Sequence, residues 1–326
     1  MKTIQAIIGL ALAASFGAGC SYETDMPDSH YPADNVVRVT ASVDEARTRS
    51  YTSETLNSFY LSIHNPGSEP YSYGSTPYLK NNGIWEADNI LLWQNDSVAV
   101  DIIACTDLES PALANDAAKL YELNNGVAAI KTDQASEDKD YFTQSDFLIY
   151  KRTGFVPKND LVDGKLAIVF QHGFSLLNIQ ITLGTEFNQS DVPTKSPVDS
   201  VTIKDMAYKA TVDFTQTPIQ MTAKEDEKGN INAHHGTFET VTEKDKHAVD
   251  NYACILIPQT LAAGSLKVEL LVNGSDRYIW TSTSDFTLES GKKYQLKLTL
   301  GKDAAVAGEI TSQAWNETTG GELETE

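Results

Sequence analysis

The stretch LLNIQITL, residues 176–183, alternates apolar and polar side chains from Leu177 onward. Its odd-numbered positions, from Leu177 to Leu183, are all apolar, and the even-numbered positions between them carry two amides and a hydroxyl. A period of two is the pattern of a β-strand that turns one face to a core and the other to water. The stretch therefore predicts a half-buried strand of a sheet.

The same pattern recurs along the chain. It is found in residues 36–43, 57–64, 97–104, 165–170, 266–272 and 294–300. Segments rich in Gly, Pro, Asn and Ser separate these runs, as turns of a sandwich require, at 65–74, 81–83, 273–276 and 289–293. Only PALANDAAKLYEL, residues 111–123, favours a helix, because proline opens it and few residues are β-branched. The sequence predicts an all-β protein of antiparallel strands.

Composition and length divide the chain into segments. A Gly- and Pro-containing polar stretch at 184–200 follows a strand and is typical of a linker. We therefore expect an N-terminal β-sandwich domain over 36–184, a linker over 185–197 and a C-terminal β-sandwich domain over 198–326. A second polar stretch, residues 222–236, predicts a protruding loop.

The N-terminus has the features of a bacterial export signal. Lys2 is followed by an apolar run from Ala6 to Phe16, which is shorter than the roughly 20 residues that span a bilayer. Cys20 comes directly after Gly-Ala-Gly, an arrangement typical of a lipoprotein signal over 1–19 with acylation of Cys20. The alternative is an ordinary signal cut near Ala18, with a free thiol at Cys20. Residues 20–35 are acidic and lack an apolar period, so we expect a flexible tether.

The charge of the chain limits its partners. The formal net charge is −20 and the pI is about 4.6. We do not expect the protein to bind nucleic acid, because such binding depends on a basic surface that neutralises phosphates. Cys105 and Cys254 lie in apolar strand-like runs and are expected to be buried and unpaired, with a disulfide between them as the alternative.

Signs of catalysis are few. The sequence contains no GxSxG elbow, phosphate-binding loop, dinucleotide fingerprint or HExxH motif. His234 and His235 are adjacent, which points them to opposite faces of a strand, so we favour a solvated loop over a metal site. His172 has no catalytic partner in register and is interpreted as a structural hydrogen-bonding group. We predict that the protein is not an enzyme and has no metal or cofactor.

Aromatic residues cluster between positions 69 and 86, at Tyr71, Tyr73, Tyr78 and Trp85. Such rings could stack on sugars, which gives an alternative function as a surface glycan-binding lipoprotein of a polysaccharide-uptake system. The other interpretation of the cluster is tyrosines in turns and a tryptophan in the core.

Two arginines stand out in the connection between the first two predicted strands. The segment DEARTRSYTSE, residues 44–54, places Arg47 and Arg49 in a polar stretch of a strongly acidic chain. Charge alone assigns them no partner.

Several motifs together give the chain a resemblance to a known family. They are the lipoprotein-type cysteine, ARTRS at 46–50, FYLSIHNPG at 59–67, YLKNNGIW at 78–85, LAIVFQHGFSLLNIQI at 166–181, FTLESGKKYQLKLTL at 286–300 and GEITSQAW at 308–315. In this order they resemble the fimbrillin family of pilus-subunit lipoproteins from gut and oral anaerobic bacteria. The resemblance covers nearly all of the chain after the signal. It implies two tandem transthyretin-like antiparallel β-sandwich domains.

The resemblance also implies a function. Subunits of this family are exported as lipoproteins and held at the outer membrane by their lipid, which in this chain would be attached to Cys20. They are then cut by an arginine-specific protease and join other pilin subunits in a fimbrium by strand exchange. Carried onto this sequence, the cut falls between Arg49 and Ser50, with Arg47 as the alternative, and removes the strand at 36–43. The expected role is that of a structural subunit or accessory protein of the pilus that contributes to adhesion, with host or bacterial surface molecules as candidate ligands.

The C-terminal segment 307–326 is a candidate donor for that exchange. Ile310 and Trp315 would be its apolar anchors. The alternative is simply the last strand of the C-terminal domain followed by a tail.

Overall fold

The computed structural model describes residues 31–44, 51–113, 118–136, 138–188, 191–301 and 305–315. Strands make up most of this part of the chain. Its α-helices are two single turns, α1 (Tyr141–Gln144) and α2 (Pro157–Asp160), and 3-10 turns occur at Glu69–Tyr71, Leu120–Glu122 and Thr185–Asn188. None of the described helices is long and apolar enough to cross a membrane. The predicted all-β class is confirmed.

The strands are numbered in chain order. The first eight are β1 (Val39–Val43), β2 (Ser58–His64), β3 (Tyr73–Asn81), β4 (Ile84–Ala87), β5 (Val100–Cys105), β6 (Gly126–Ala129), β7 (Leu148–Phe155) and β8 (Leu166–His172). The next seven are β9 (Ser175–Leu183), β10 (Val198–Ala207), β11 (Lys209–Asp213), β12 (Gln220–Ala223), β13 (Lys228–Asn232), β14 (His234–Glu239) and β15 (Val249–Leu256). The last are β16 (Gln259–Leu261), β17 (Lys267–Val272), β18 (Asp276–Thr281), β19 (Phe286–Leu288), β20 (Lys292–Leu300) and β21 (Ala305–Ala314).

These strands form three larger sheets and two smaller ones. The N-terminal strands form a seven-stranded sheet in the order β1-β8-β7-β5-β2-β3-β4. A five-stranded sheet has the order β14-β15-β9-β20-β21, and a four-stranded sheet has the order β13-β10-β17-β18. The smaller sheets are β12-β11-β6 and β16-β19. Because β6 pairs with β11, a segment from the first half of the chain belongs to a sheet of the second half.

The strand predicted from residues 176–183, β9, is the centre of the five-stranded sheet. It runs antiparallel to β15 and parallel to β20, so that Ile179 lies opposite Tyr252 on one side and Leu296 on the other. Its apolar positions are fully buried, as the alternation predicts. A second parallel pair joins β1 to β8. The expectation of purely antiparallel strands is therefore wrong for these two pairs, because alternation reports the buried face and not the direction of the neighbouring strand.

Buried apolar side chains form two clusters, which we call the first core and the second core. The first core contains Val39, Phe59 and Phe170 and belongs to the seven-stranded sheet. The second core contains Phe174 and the apolar face of β9, and it fills the space between the five- and four-stranded sheets. All members of the two clusters from Phe174 onward belong to the second core, but that cluster also includes residues from the N-terminal half, among them Ile103, Leu120 and Phe142. The clusters therefore do not divide the chain at a single point. The division into domains stays a prediction.

Two local expectations differ from the described structure, and residues 114–117 of the first lie outside the described residues. In the described part of 111–123 the only helical turn is the 3-10 turn Leu120–Glu122, because the segment runs along the second core, where Leu113 and Leu120 are buried. The predicted loop at 222–236 instead contains β13 and the start of β14, which pair with β10 and β15. In both segments long-range packing outweighs local composition.

Two tight hairpins agree with the turn signals. Asn82 and Gly83 join β3 to β4, and Asn273 and Gly274 join β17 to β18. All four residues have positive φ angles, at 49°, 82°, 49° and 75°. Asn-Gly suits such turns because these residues adopt the left-handed region at little cost.

Candidate functional site

The first strand, β1, lies at one edge of the seven-stranded sheet. It pairs only with β8 within its sheet, with Val39 opposite Leu166 and Val43 opposite Phe170. Ahead of the strand, the amide of Val37 donates a hydrogen bond to the carbonyl oxygen of Leu91 at 2.9 Å. One ladder therefore holds the strand in the sheet.

β1 also contributes to the first core. Val37, Val39 and Val43 are buried, whereas Thr40 on the opposite face is exposed. This matches the alternation read from residues 36–43. Burying one such side chain contributes about 1.5–3 kcal/mol. The strand is therefore well packed even though it occupies an edge.

The predicted processing residues lie outside the described residues. These are Cys20, Arg47, Arg49 and Ser50. Asp44 and Tyr51, the described residues that flank residues 45–50, are each held in place by a hydrogen bond. The amide of Asp44 donates to the carbonyl oxygen of Phe170 at 2.9 Å, and the amide of Tyr51 donates to Oδ2 of Asp146 at 3.1 Å.

A buried polar cluster lies at the end of β8. Nδ1 of His172 is 2.9 Å and 3.0 Å from the two carboxylate oxygens of Asp146, and both side chains are almost completely shielded from solvent. The indole of Trp315 stacks on the His172 ring, with 4.1 Å between centroids and 6° between planes. His172 is thus a structural hydrogen-bonding group, as expected. Asp146 therefore contacts both the backbone of Tyr51 and the ring of His172, on which Trp315 stacks.

A groove with a volume of about 640 Å³ opens beside this cluster. Asp44, Tyr150, His172, Pro218 and Trp315 line parts of it. It therefore runs from the end of β1 to the end of β21.

The last described strand, β21, lies at the edge of the five-stranded sheet and pairs with β20. The amide of Trp315 donates to the carbonyl oxygen of Gly291 at 3.0 Å, and the Trp315 side chain is 2% exposed. Ile310 is half-buried against the second core. Both proposed anchors of the C-terminal segment therefore pack within their own chain.

Both predicted buried cysteines are unpaired. Cys105 belongs to β5 and Cys254 to β15, and neither forms a disulfide. Burial raises the pKa of each thiol well above its ordinary value. These thiols are therefore poor nucleophiles.

The two adjacent histidines lie on β14 and not in a loop. The ring of His234 stacks on Phe142 at 5.0 Å, and Nε2 of His235 is 2.8 Å from Oδ1 of the buried Asp250. The rings thus point to opposite sides, as adjacent strand residues do. Among the described residues, no three His, Cys, Asp or Glu side chains are placed to hold a metal ion.

The aromatic cluster between 69 and 86 does not form an open platform. Tyr78 and Trp85 are buried in the first core against Phe59, at centroid distances of 5.4 Å and 4.8 Å. The Tyr73 hydroxyl bonds to the backbone of Leu92. Stacking on a sugar requires an exposed ring face, which Tyr78 and Trp85 do not offer.

Sequence reasoning missed Asp146 and Gly291. Asp146 is one of many acidic residues and precedes His172 by 26 positions, so no motif links the two. Gly291 has a φ of 68° at the turn before β20, and a Cβ there would come within 3.3 Å of the His172 carbonyl oxygen. The turn signal ESGKK marked this position only as a loop.

Comparison with known proteins agrees with this architecture. A candidate cell adhesion protein from Bacteroides uniformis is 17% identical, with 87% of this chain and 99% of that chain covered and a TM-score of 0.56. A second one, from Bacteroides ovatus, is 14% identical over 87% of this chain and 99% of that chain, with a TM-score of 0.58. A fimbrial protein from Bacteroides vulgatus is 14% identical over 86% of this chain and 99% of that chain, with a TM-score of 0.51. At these identities the likeness shows a shared fold.

No curated protein matches the chain. The sequence family described as fimbrillin-like does match, over residues 47–315. The match begins at Arg47, just after β1, and ends at Trp315. It therefore includes every strand described above except β1. The chain therefore belongs to the fimbrillin-like family.

Proposed function

We propose that the protein is a structural subunit of a cell-surface fimbrium, that cleavage after Arg49 prepares it for assembly, and that it polymerises by strand exchange. The observation that carries this proposal is the position of β1. It is an edge strand with a buried apolar face, and the connection that follows it contains Arg47 and Arg49. Membership in the fimbrillin-like family supports the role in a pilus and a function other than catalysis.

The connection controls how strongly β1 is retained. While the chain is intact, β1 is present at a high effective concentration beside β8, and a strand from another molecule cannot compete. Cleavage removes this advantage without breaking any contact of the strand. When β1 leaves, the edge of β8 presents unpaired backbone groups beside a slot that held three valines. Such an edge is a template for a strand from a neighbouring subunit.

The C-terminal strand β21 is the proposed donor. It is the edge of its sheet and pairs with β20 alone. Its release would therefore break one ladder, together with the Trp315 stack on His172. Ile310 and Trp315 would then be free to enter the slot of the next subunit.

We further propose that the chain forms two tandem β-sandwich domains of the transthyretin-like type. The presence of two buried clusters supports this division, and the linker is proposed at 185–197. Residues 1–19 would be the signal peptide, and residues 20–35 the tether. The lipid on Cys20 would hold the precursor at the outer membrane before the mature subunit enters the fimbrium.

Limited digestion tests the cleavage step. The full-length precursor is treated with an arginine-specific protease, and the products are identified by mass spectrometry. We expect one early cut after Arg49 and a resistant fragment that contains all sheets from β2 onward. Early cuts at Arg152 or Arg277, with the bond after Arg49 intact, would contradict the proposal.

A matched pair of variants locates the cut. Arg49→Gln is expected to move the cut to Arg47 and slow it, whereas Arg47→Gln is expected to leave the Ser50 start unchanged. Equal slowing in both variants would argue against a preferred bond after Arg49.

A further inference from the structure

A buried carboxylate lies next to the residue that follows the proposed cut. Both carboxylate oxygens of Asp146 lie within 3.0 Å of Nδ1 of His172, and Oδ2 also accepts a hydrogen bond from the backbone amide of Tyr51. We propose that Asp146 is the receptor for the α-ammonium group that cleavage creates at Ser50. This inference rests on the cleavage step of the proposed function and adds a binding site for its product.

The distances allow the contact. The amide nitrogen of Tyr51 is already 3.1 Å from Oδ2 of Asp146. Backbone nitrogens of consecutive residues are no more than about 4 Å apart. An amine at Ser50 is therefore within one residue of a group that is bonded to the carboxylate. An amine at Thr48, which a cut after Arg47 would create, is two residues farther along the chain.

The site has room for the group. A cavity of about 190 Å³ opens beside Asp146, lined in part by Tyr51, Asp107, Lys131 and Gln144. A water molecule takes up about 30 Å³ of liquid volume, so an ammonium group fits without displacing the core.

The electrostatics favour a cation. Burial raises the pKa of the Tyr51 hydroxyl, and the negative charges of Asp146, Asp140 and Asp107 raise it further. Glu109 adds another carboxylate to the cavity wall. Lys131 is the cation of this wall, and its Nζ lies 5.9 Å from the centre of the Tyr141 ring.

Pairing at this site would also stabilise Asp146. A buried carboxylate carries a desolvation cost that a nearby positive charge offsets. A carboxylate offers about four acceptor positions, so the amine can share Asp146 with His172 and the Tyr51 amide. The cut end would then stay fixed at the base of β8, beside the ring on which Trp315 stacks. It would keep the segment before β2 in place after the covalent link to β1 is lost.

The reactivity of the new amine tests the proposal. The full-length protein is cut after Arg49 and treated with a limiting amount of an acylating reagent at pH 7.5, and acylation of the first residue is followed by mass spectrometry. We expect Ser50 to react about tenfold more slowly than Thr48 in Arg49→Gln protein cut after Arg47, which corresponds to one pKa unit. Serine and threonine amines are closely matched, because both carry a β-hydroxyl group. Equal rates would overturn the proposal.

Two further variants complete the test. Asp146→Asn, cut at the same bond, is expected to raise the Ser50 rate to that of the Thr48 start, whereas Asp107→Asn is expected to change it less than about twofold. A slow Ser50 amine that stays slow in folded Asp146→Asn would also overturn the proposal. If Asp146→Asn does not fold, the comparison of Ser50 with Thr48 decides alone.

The cleavage step can fail separately. If an arginine-specific protease leaves the bond after Arg49 intact, the proposed function loses that step. The receptor site is then tested in full-length protein that carries the recognition sequence of a site-specific protease immediately before Ser50, so that its cut leaves the same amine. A fast Ser50 amine there contradicts the receptor site alone.

Discussion

At the scale of single residues, Trp315 and His172 connect the end of β21 to the end of β8. We expect Trp315→Ala to lower the free energy of unfolding by about 3–5 kcal/mol, because it removes a fully buried ring. In a double-mutant cycle with His172→Ala, the coupling energy should be about 0.5–1.5 kcal/mol, as found for stacked aromatic pairs. Chemical denaturation of the four proteins gives this value. Trp280→Ala with His172→Ala is the control and should be additive, and zero coupling between His172 and Trp315 would contradict the stack.

The two thiols of the described chain give a second test at this scale. Because burial raises the pKa of Cys105 and Cys254, neither should react with iodoacetamide at pH 7 or at pH 9 in the folded protein. Raising the pH increases the thiolate fraction, but a pKa above the ordinary value keeps that fraction low over this range. Peptide-level mass spectrometry follows each site. Unfolding in guanidinium is the control and should expose both residues, whereas modification of either thiol in the folded state would show that its strand opens.

At the scale of elements, β1 should depend on its valines. Val39→Ala is expected to lower the free energy of unfolding by about 1–3 kcal/mol and to speed the loss of β1 after cleavage. Val169→Ala is the matched control, because Val169 lies on the neighbouring strand β8 but is 47% exposed. Its effect should stay within about 0.5 kcal/mol. Equal effects of the two substitutions would contradict the buried face assigned to β1.

A reversible lock tests the role of β21. Lys293 and Gln313 lie opposite each other on β20 and β21, a spacing that suits a disulfide. With both replaced by cysteine, the cleaved protein should fail to form fibres until dithiothreitol is added. The control lock replaces Glu269 and Ile279, which are opposite each other on β17 and β18, and should leave assembly unchanged. Fibres that form equally well with β21 locked would exclude it as the donor, and electron microscopy gives the result.

Local patterns predicted many of the strands. Alternation identified β1, β2, β5, β8, β9, β17 and β20, because a half-buried strand must repeat every two residues. It could not predict that β9 pairs with β20 or that β6 pairs with β11, since these contacts join distant parts of the chain. The strands near 222–236 were missed for a related reason, because polar edge strands such as β12 and β13 have little apolar alternation.

The candidate site was predicted in part. The arginine connection and the anchors Ile310 and Trp315 follow from the sequence order and from the family resemblance. The contact of Asp146 with Tyr51 and His172 does not, because a single carboxylate among 45 acidic residues has no local signature. Buried charge is a property of the folded chain, and only the structure reveals it.

At the scale of the whole molecule, charge should control the rate of assembly. The full-length chain has a formal net charge of −20, so acidic subunits repel each other, and salt screens that repulsion. We expect cleaved subunits to form fibres faster as the NaCl concentration rises from about 10 to 150 mM, where the screening length falls to about 8 Å. Light scattering follows the reaction. A sucrose solution of equal osmolality is the control, and slower assembly in salt would show that attraction between charges drives the contact.

We expect β1 to be removed when the subunit enters the fimbrium. The most direct measurement is the N-terminal sequence of the protein in fibres purified from the cell surface, with the membrane-bound protein of the same cells as the reference. We predict that the chain in the fibres begins at Ser50 and lacks β1, and that the membrane-bound precursor begins with a blocked Cys20. Fibres whose subunits begin at Cys20 and retain residues 36–43 would contradict the account.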